Sequence, residues 1–261
     1  MGTRFEFILC GENERTLRAA GEEAIDAIED AHRRLSRFEP GGPIFEINRC
    51  ACVRAVLVDD EIRTLLERCE SVREESGGAF NIVRTDPSSR GSLSIDQRSI
   101  RLDGPGAFVD LGGIAKGFAL DLAGEIVRSS GVTSALLHGG SSTMLAIGSP
   151  PGADAWRIAL VADDRSLGVV RLRDLAMSVS SQEGDRPGHV VDPSTGFAAG
   201  ARWAACLASS AEATDAWSTA LLVRAQRPDG MPPELTSVIL DENAWAPVAS
   251  GPAASCIVSV G

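Results

Sequence analysis

The 261-residue sequence predicts an α+β fold. Helical and strand patterns follow one another irregularly, without the steady strand–helix–strand rhythm of a doubly wound parallel sheet. Hydrophobic residues make up 44% of the chain and charged residues 23%, proportions typical of a globular protein with a sizeable core. No repeat, low-complexity stretch or linker rich in Pro and Ser interrupts the chain, so the pattern marks no domain boundary.

The first part of the chain predicts one strand and two helices. Residues 3–10 alternate well enough for a strand, and residues 12–37 carry apolar side chains at the spacing of a long amphipathic helix. The turn-forming segment 39–43 ends this helix. A second helix is predicted at 59–76, where it stops before Gly77.

The rest of the chain predicts more strands than helices. Short strands separated by polar turns are expected between 80 and 110, followed by a helix at about 115–129. The remaining predicted elements are strands at 134–147, 156–162 and 168–180, a loop at 181–200, a strand at 202–209, a helix at 212–225, and strands at 236–241 and 254–260.

The charge of the chain limits its partners. The formal net charge is −11, and such a surface repels phosphate backbones, so we expect no nucleic-acid partner. A protein this acidic needs local positive charge, such as a metal ion, to bind an anionic ligand. The apolar run at 5–10 is too short for a signal peptide or a membrane span. We therefore expect no membrane span and, by default, a cytoplasmic location.

The first informative motif runs from Val109 to Asp121. An apolar strand end meets Gly112 and Gly113, and a helix carrying Lys116 follows at once. Glycines let a ligand approach the backbone closely, and amides at a helix N-terminus favour phosphate. The motif is not a Walker loop, because Ser or Thr does not follow the lysine. A tight strand-to-helix turn with a solvated lysine is the alternative interpretation.

The second motif surrounds Gly139 and Gly140, which join two apolar strands. The residues after this pair, 141–143, all carry hydroxyl groups. A plain hairpin turn does not need so many hydrogen-bonding groups, but Gly-Gly turns are common, and the motif alone is a weak indication of a site.

The third motif, at 188–196, contains one of the three histidines of the chain, His189. A histidine in this position could hold a phosphate or move a proton near neutral pH. The residues that follow, Asp192 to Gly196, also form a good turn sequence without any ligand.

The fourth motif places Asp215 and Thr219 four residues apart in a predicted helix, so that both side chains share one face. A carboxylate with neutral oxygens suits Mg²⁺, which also takes water and substrate phosphate as ligands. The alternative is a helix N-terminus capped by Thr214 or Asp215.

Together and in this order, the motifs resemble the ApbE family, the FAD:protein FMN transferases. The family stretch Leu-Gly-Gly-Ile-Ala-Lys-Gly-Tyr-Ala-x-Asp is matched at 111–121, with Phe118 replacing Tyr. The motif His-x-x-Asp-Pro-x-Thr-Gly is matched at 189–196, and Ala-Asp-Ala-x-Ser-Thr-Ala at 214–220 with its first residue changed. Where the family has Thr-Ser-Gly, this chain has Ser-Ser-Gln at 180–182.

The resemblance implies one domain over residues 1–261, with a mixed, mainly antiparallel sheet and packed helices. It implies Mg²⁺ bound by Asp215, Thr219 and the backbone carbonyl of Ala115, with His189 and Asp215 as catalytic residues. It also implies a flavin-nucleotide pocket that includes His189 and seven further residues: Gly113, Lys116, Asp121, Gly139, Gly140, Ser180 and Ser181.

The implied reaction moves FMN from FAD to a Thr or Ser hydroxyl of an acceptor flavoprotein and releases AMP. Two alternatives remain open. The same site could use water as the acceptor and hydrolyse FAD to FMN and AMP. The chain could also bind or carry FAD without turnover.

Overall fold

The computed structural model describes residues 3–85, 89–162, 165–182, 190–240 and 246–258. Its helices are α1 (Glu14–Leu35), α2 (Pro43–Cys50), α3 (Asp60–Glu75), α4 (Ala115–Ser129) and α5 (Ala211–Arg224), with a short 3-10 helix at Ala254–Cys256. Its strands are β1 (Phe5–Cys10), β2 (Val56–Leu57), β3 (Val83–Arg84), β4 (Ser92–Ile95), β5 (Ser99–Asp103), β6 (Phe108–Val109), β7 (Ser134–Gly139), β8 (Thr143–Ile147), β9 (Trp156–Ala162), β10 (Arg165–Leu172), β11 (Ala176–Ser181), β12 (Trp203–Ala208), β13 (Thr236–Leu240), β14 (Val248–Ser250) and β15 (Ile257–Val258).

The main sheet has seven strands in the order β1-β7-β8-β11-β12-β13-β14, and every neighbouring pair is antiparallel. A second sheet of three strands has the order β15-β10-β9. Two smaller sheets, β2-β5-β4 and β3-β6, lie in the first half of the chain. Helices packed on antiparallel sheets confirm the predicted α+β class.

Both faces of the main sheet are covered. Strand β12 shows this, because all six of its residues are buried. Ala204 and Cys206 contribute to the core that contains the buried faces of the helices. Ala205 and Leu207 point the other way, into a core shared with Trp156 of β9. Burial on both sides explains why this strand is an uninterrupted apolar run rather than an alternating one.

Three of the helices, α1, α3 and α5, begin at residues whose side chains cap them. Asn13 accepts a hydrogen bond from the Thr16 amide at the start of α1, and Asp59 accepts one from the Ile62 amide at the start of α3. Among the described residues, no helix is long and apolar enough to cross a membrane.

Helices α4 and α5 cross at Gly117, where backbone meets backbone. A Cβ atom at Gly117 would collide with the carbonyl group of Ala211. Only a residue without a side chain therefore allows this crossing. Because α4 and α5 carry the residues described in the next section, the glycine sets the distance between the two halves of the site.

We expect Gly117→Ala to lower the free energy of unfolding by about 2 kcal/mol, since the helices must separate to admit the methyl group. Gly21→Ala is the matched control, because its Cβ would meet its nearest neighbour, Leu9 Cδ1, at an ordinary 3.5 Å and alanine favours a helix. Urea unfolding of both variants measures the difference. Equal stability of the two variants would contradict the close crossing.

Glu212, in the first turn of α5, forms a bidentate ion pair with Arg68 of α3. Its carboxylate oxygens lie 2.6 Å from Arg68 Nε and 2.8 Å from Nη2. The glutamate is only 8% exposed. Burial raises the pKa of Glu212 to about 7, helped by nearby Asp121 and opposed by Arg68.

This raised pKa predicts a pH-dependent contribution to stability. The folded protein keeps the proton of Glu212 where the unfolded chain has lost it, so the contribution is complete below the ordinary pKa of 4.5 and is lost as the pH rises through about 7. As the pH rises from 5 to 8, we expect the free energy of unfolding of wild type to fall relative to that of Glu212→Gln. Urea unfolding across this range measures it, and a constant difference would refute the assignment.

The structure corrects several boundaries. Helix α2 was not predicted, because Pro43 was assigned to the turn at 39–43. In the structure Pro43 is the first residue of the helix, a position that proline favours. The predicted strand 168–180 is divided into β10 and β11 by a turn in which Asp174 has a φ of 52°. The predicted strand 254–260 instead begins as a 3-10 helix.

Candidate functional site

A cavity of about 490 Å³ opens where the N-terminal end of α4 faces α5 and β11. Two cationic side chains, Lys116 and Arg84, and two acidic ones, Asp110 and Asp215, are among the described residues that line it. The following residues proposed from the sequence also belong to this lining: Gly113, Lys116, Ser180, Ser181, Asp215 and Thr219.

Asp215 is the most enclosed charged group of the site, with 2% exposure. Its Oδ1 accepts hydrogen bonds from Lys116 Nζ at 2.9 Å, Ser178 Oγ at 3.2 Å and Thr143 Oγ1 at 3.3 Å. Its Oδ2 accepts the amide of Gly117 at 3.1 Å. Four donors, one of them the Lys116 cation, satisfy a buried carboxylate that would otherwise be costly. Because Lys116 is paired in this way, the interpretation of it as a solvated lysine is wrong.

Asp215 does not cap its helix. The N-cap of α5 is Ser210, whose side chain accepts from the Ala213 amide. Thr214 donates its hydroxyl to the carbonyl of Ala211 inside the first turn. The alternative that Thr214 or Asp215 serves as the cap is therefore wrong, and the carboxylate of Asp215 is directed to the cavity side of the helix instead.

Hydroxyl groups surround Asp215 and continue into the cavity. Ser180 Oγ lies 2.9 Å from Ser218 Oγ and 3.4 Å from Thr219 Oγ1. Ser218 in turn donates to the backbone carbonyl of Asp215 at 2.9 Å. A Cβ at Gly113 would lie 3.2 Å from Thr219 Oγ1, so the glycine keeps the space beside this hydroxyl open.

The donor set fits a hard cation. A buried carboxylate on Asp215 and the Thr219 hydroxyl are oxygen ligands of the kind Mg²⁺ takes, and Ala115 begins α4 directly before Lys116. Within the described part of the chain, no three His, Cys, Asp or Glu side chains converge on one point. A cation here would therefore depend on neutral oxygens, water and ligand phosphate for its remaining contacts.

Asp121 was predicted in the flavin-nucleotide pocket, but it is not among the residues that line the cavity. Its carboxylate instead accepts hydrogen bonds from the Ser210 hydroxyl at 2.8 Å and from the amides of Ala211 at 2.8 Å and Glu212 at 2.9 Å. An acid at a helix N-terminus satisfies unpaired amides and the helix dipole. Asp121 thus joins α4 to the start of α5.

Gly139 and Gly140 also lie outside the cavity lining. Gly139 is the last residue of β7 and pairs with Phe5 on one side and Thr143 on the other. Gly140 has a φ of 68°, and a Cβ there would collide with Thr3. The glycine pair makes the turn that brings the next hydroxyl residues, Ser142 and Thr143, to the site.

His189 lies outside the described residues, and its proposed roles stay predictions. The residues after it, Val190 and Val191, line the cavity. Asp192 then forms the predicted turn by accepting the amide and hydroxyl of Ser194. Burial alone would raise the pKa of Asp192, but the hydrogen bonds from Ser194 and Thr195 and the charge of Arg224 together outweigh it, and the pKa falls below its ordinary value.

Comparison with known proteins supports the resemblance seen in the sequence. The model of the ApbE family matches residues 1–88 and 83–229. The chain belongs to the ApbE family.

An FAD:protein FMN transferase from Treponema pallidum is 27% identical over 231 residues, which cover 69% of this chain and 64% of the relative. One from Vibrio cholerae is 30% identical over 115 residues, which cover 40% of this chain and 34% of the relative. The matches thus span less than two thirds of either relative.

Solved ApbE structures share the fold. The flavin transferase ApbE from Vibrio cholerae has a TM-score of 0.81 at 19% identity, covering 99% of this chain and 96% of that one. The apbe protein from Thermotoga maritima has a TM-score of 0.78 at 21% identity, covering 96% of this chain and 94% of that one. The antiparallel seven-stranded sheet with its helices is therefore an ApbE architecture.

Three contacts of this ApbE site were not found from the sequence. Thr143 and Ser178 touch the carboxylate of Asp215, and Ser218 touches its backbone. Two signals could have revealed Ser178 and Thr143. Ser178 and Ser180 are separated by the apolar Val179, which places both on one face of the strand, and the hydroxyl residues after Gly140 are unusually dense.

Proposed function

We propose that this chain is a Mg²⁺-dependent enzyme that transfers FMN from FAD to a Thr or Ser hydroxyl of an acceptor protein and releases AMP. The observation that carries the proposal is the buried Asp215 carboxylate, held by four donors at the wall of a 490 Å³ cavity. Membership of the ApbE family and two relatives named FAD:protein FMN transferases support the choice of reaction.

The reaction exchanges the phosphoanhydride bond of FAD for a phosphoester bond to the acceptor. The acceptor oxygen bonds to the phosphorus of the FMN half, the anhydride bond breaks, and AMP leaves with the bridging oxygen. The hydroxyl proton passes to a base, for which His189 is the candidate. Charge develops on the phosphate oxygens during this exchange, so groups that stabilise negative charge accelerate it.

We assign the metal to Asp215, Thr219 and the carbonyl of Ala115. Mg²⁺ bound there supplies positive charge that stabilises the phosphate oxygens and the departing AMP. The Gly117 amide and the hydroxyls of Thr143 and Ser178 hold the Asp215 carboxylate in one orientation. These fixed donors need no rearrangement when the substrate enters.

The rest of the cavity carries positive charge, hydroxyl groups and an aromatic surface that suit a flavin nucleotide. Lys116 and Arg84 contribute positive charge for a diphosphate in a protein of net charge −11. Ser180 and Ser181 offer hydroxyl groups from the end of β11. Phe80, whose ring also lies near Gly113, adds an apolar aromatic surface to the lining.

Incubation of the purified protein with FAD, with and without Mg²⁺, tests the proposal when AMP and FMN are followed by chromatography. Magnesium-dependent release of AMP is the expected result when candidate acceptor proteins are also present, because transfer needs an acceptor hydroxyl. Covalently attached FMN then indicates transfer, and free FMN indicates hydrolysis. Binding of FAD without AMP release, with Mg²⁺ and acceptors present, would instead indicate a carrier protein.

A further inference from the structure

Lys116 is placed where a bound cation would be expected. Its ammonium group lies 2.9 Å from Asp215 Oδ1, in the carboxylate assigned to the metal. The lysine side chain is 20% exposed and the aspartate side chain 3% exposed. Among the ion pairs of the described residues, no other cation contacts Asp215.

We propose that Lys116 is an internal counter-ion that a divalent cation must displace from Asp215, and that the diphosphate of FAD accepts the displaced ammonium group. This inference rests on the proposed function and concerns how the site is loaded. It predicts that FAD and the cation bind cooperatively, because each removes an obstacle to the other.

Electrostatics requires some cation beside Asp215. A carboxylate buried to this extent is costly without a compensating positive charge. Two cations that share one carboxylate oxygen repel each other strongly in a poorly solvated site. The ammonium group and the divalent ion are therefore alternatives at Asp215 Oδ1 rather than joint occupants.

The surroundings allow the lysine to leave without disturbing the carboxylate. The hydrogen bonds from Gly117, Thr143 and Ser178 do not involve Lys116, so three donors still fix Asp215 after the ammonium group moves. Lys116 itself lines the cavity and has a flexible four-carbon stem, so a phosphate within the cavity is a suitable new partner.

The test measures binding of Mn²⁺, as a probe for Mg²⁺, by calorimetry in the absence of FAD. We expect Lys116→Met to bind Mn²⁺ about tenfold more tightly than wild type, because the competing charge is gone. Lys116→Arg keeps a positive charge and is the matched control, expected to bind Mn²⁺ as weakly as wild type. Asp215→Asn in the Lys116→Met background should remove the binding.

A second readout uses stability. Without metal, Lys116→Met leaves Asp215 uncompensated, so Mn²⁺ should raise its Tm more than that of wild type. If this variant does not fold, Lys116→Gln serves instead, because its amide is neutral and can still donate to the carboxylate.

Unchanged or weaker Mn²⁺ binding in the neutral variants would overturn the inference. Such a result would leave the proposed function intact if wild type still releases AMP from FAD in the presence of Mg²⁺. Conversely, the variants could bind Mn²⁺ more tightly while wild type cleaves no FAD. That result would support the role of Lys116 as a counter-ion and contradict the proposed enzymatic function.

Discussion

Replacing Asp215 by alanine is expected to reduce Mg²⁺-dependent release of AMP from FAD about a thousandfold or more, since the charged ligand proposed for the metal and the partner of Lys116 are both lost. The fold should persist, because Ser210 and Asp121 still cap the start of α5. Chromatography of AMP measures the rate, and circular dichroism measures the helix content.

Asp26→Ala is the matched control for this variant, because it makes the same change at an exposed position of α1. Its rate should equal that of wild type. Asp215→Asn keeps the shape but not the charge, and it should be nearly as inactive as the alanine variant. Full activity in either Asp215 variant, measured with saturating Mg²⁺, would remove this residue from the metal site.

Replacing Asp121 by alanine is expected to lower the free energy of unfolding by about 3 kcal/mol, because three donors at the start of α5 lose a charged acceptor. Asp121→Asn should lose less, since one amide oxygen can still accept. Urea unfolding at pH 7 provides the measurement.

Two comparisons sharpen this prediction. Asn13→Ala removes a single capping bond from α1 and should cost about 1 kcal/mol, which is the scale of an ordinary cap. The FAD affinity of the folded Asp121→Asn protein should change much less than its stability. A large loss of FAD affinity with normal stability would instead return Asp121 to the flavin-nucleotide pocket.

Local patterns predicted most of the fold. The helices α1, α3, α4 and α5 each bury one or more faces at helical spacing, and their ends carry local caps or glycines, so short windows of sequence contain the information. Strand β12 was visible as an apolar run. Strand β14 has only three residues and an exposed Val248, so no periodicity marked it.

The site was predictable where its residues lie in contiguous motifs, and less so where contacts join distant parts of the chain. Asp121 and the amide of Ala211 are separated by 90 positions, and only the packing of α4 on α5 brings them together. The same is true of Thr143 and Asp215, which are 72 positions apart. Sequence motifs indicated candidate site residues, but they did not separate a residue that faces the cavity from one that supports it.

The covered sheet also fixes the orientation of the hydroxyl groups at the site. Ser178 and Ser180 belong to β11, which has hydrogen-bonded neighbours on both sides, and Thr143 begins the adjacent β8. These hydroxyl groups therefore project from a packed, hydrogen-bonded sheet, and moving them requires a large free energy of local opening. In water, solvent dipoles must reorient toward a charge as it develops, and this reorientation costs free energy. In this protein the fold has already oriented the hydroxyl dipoles, so a charge that develops beside them does not require that reorientation.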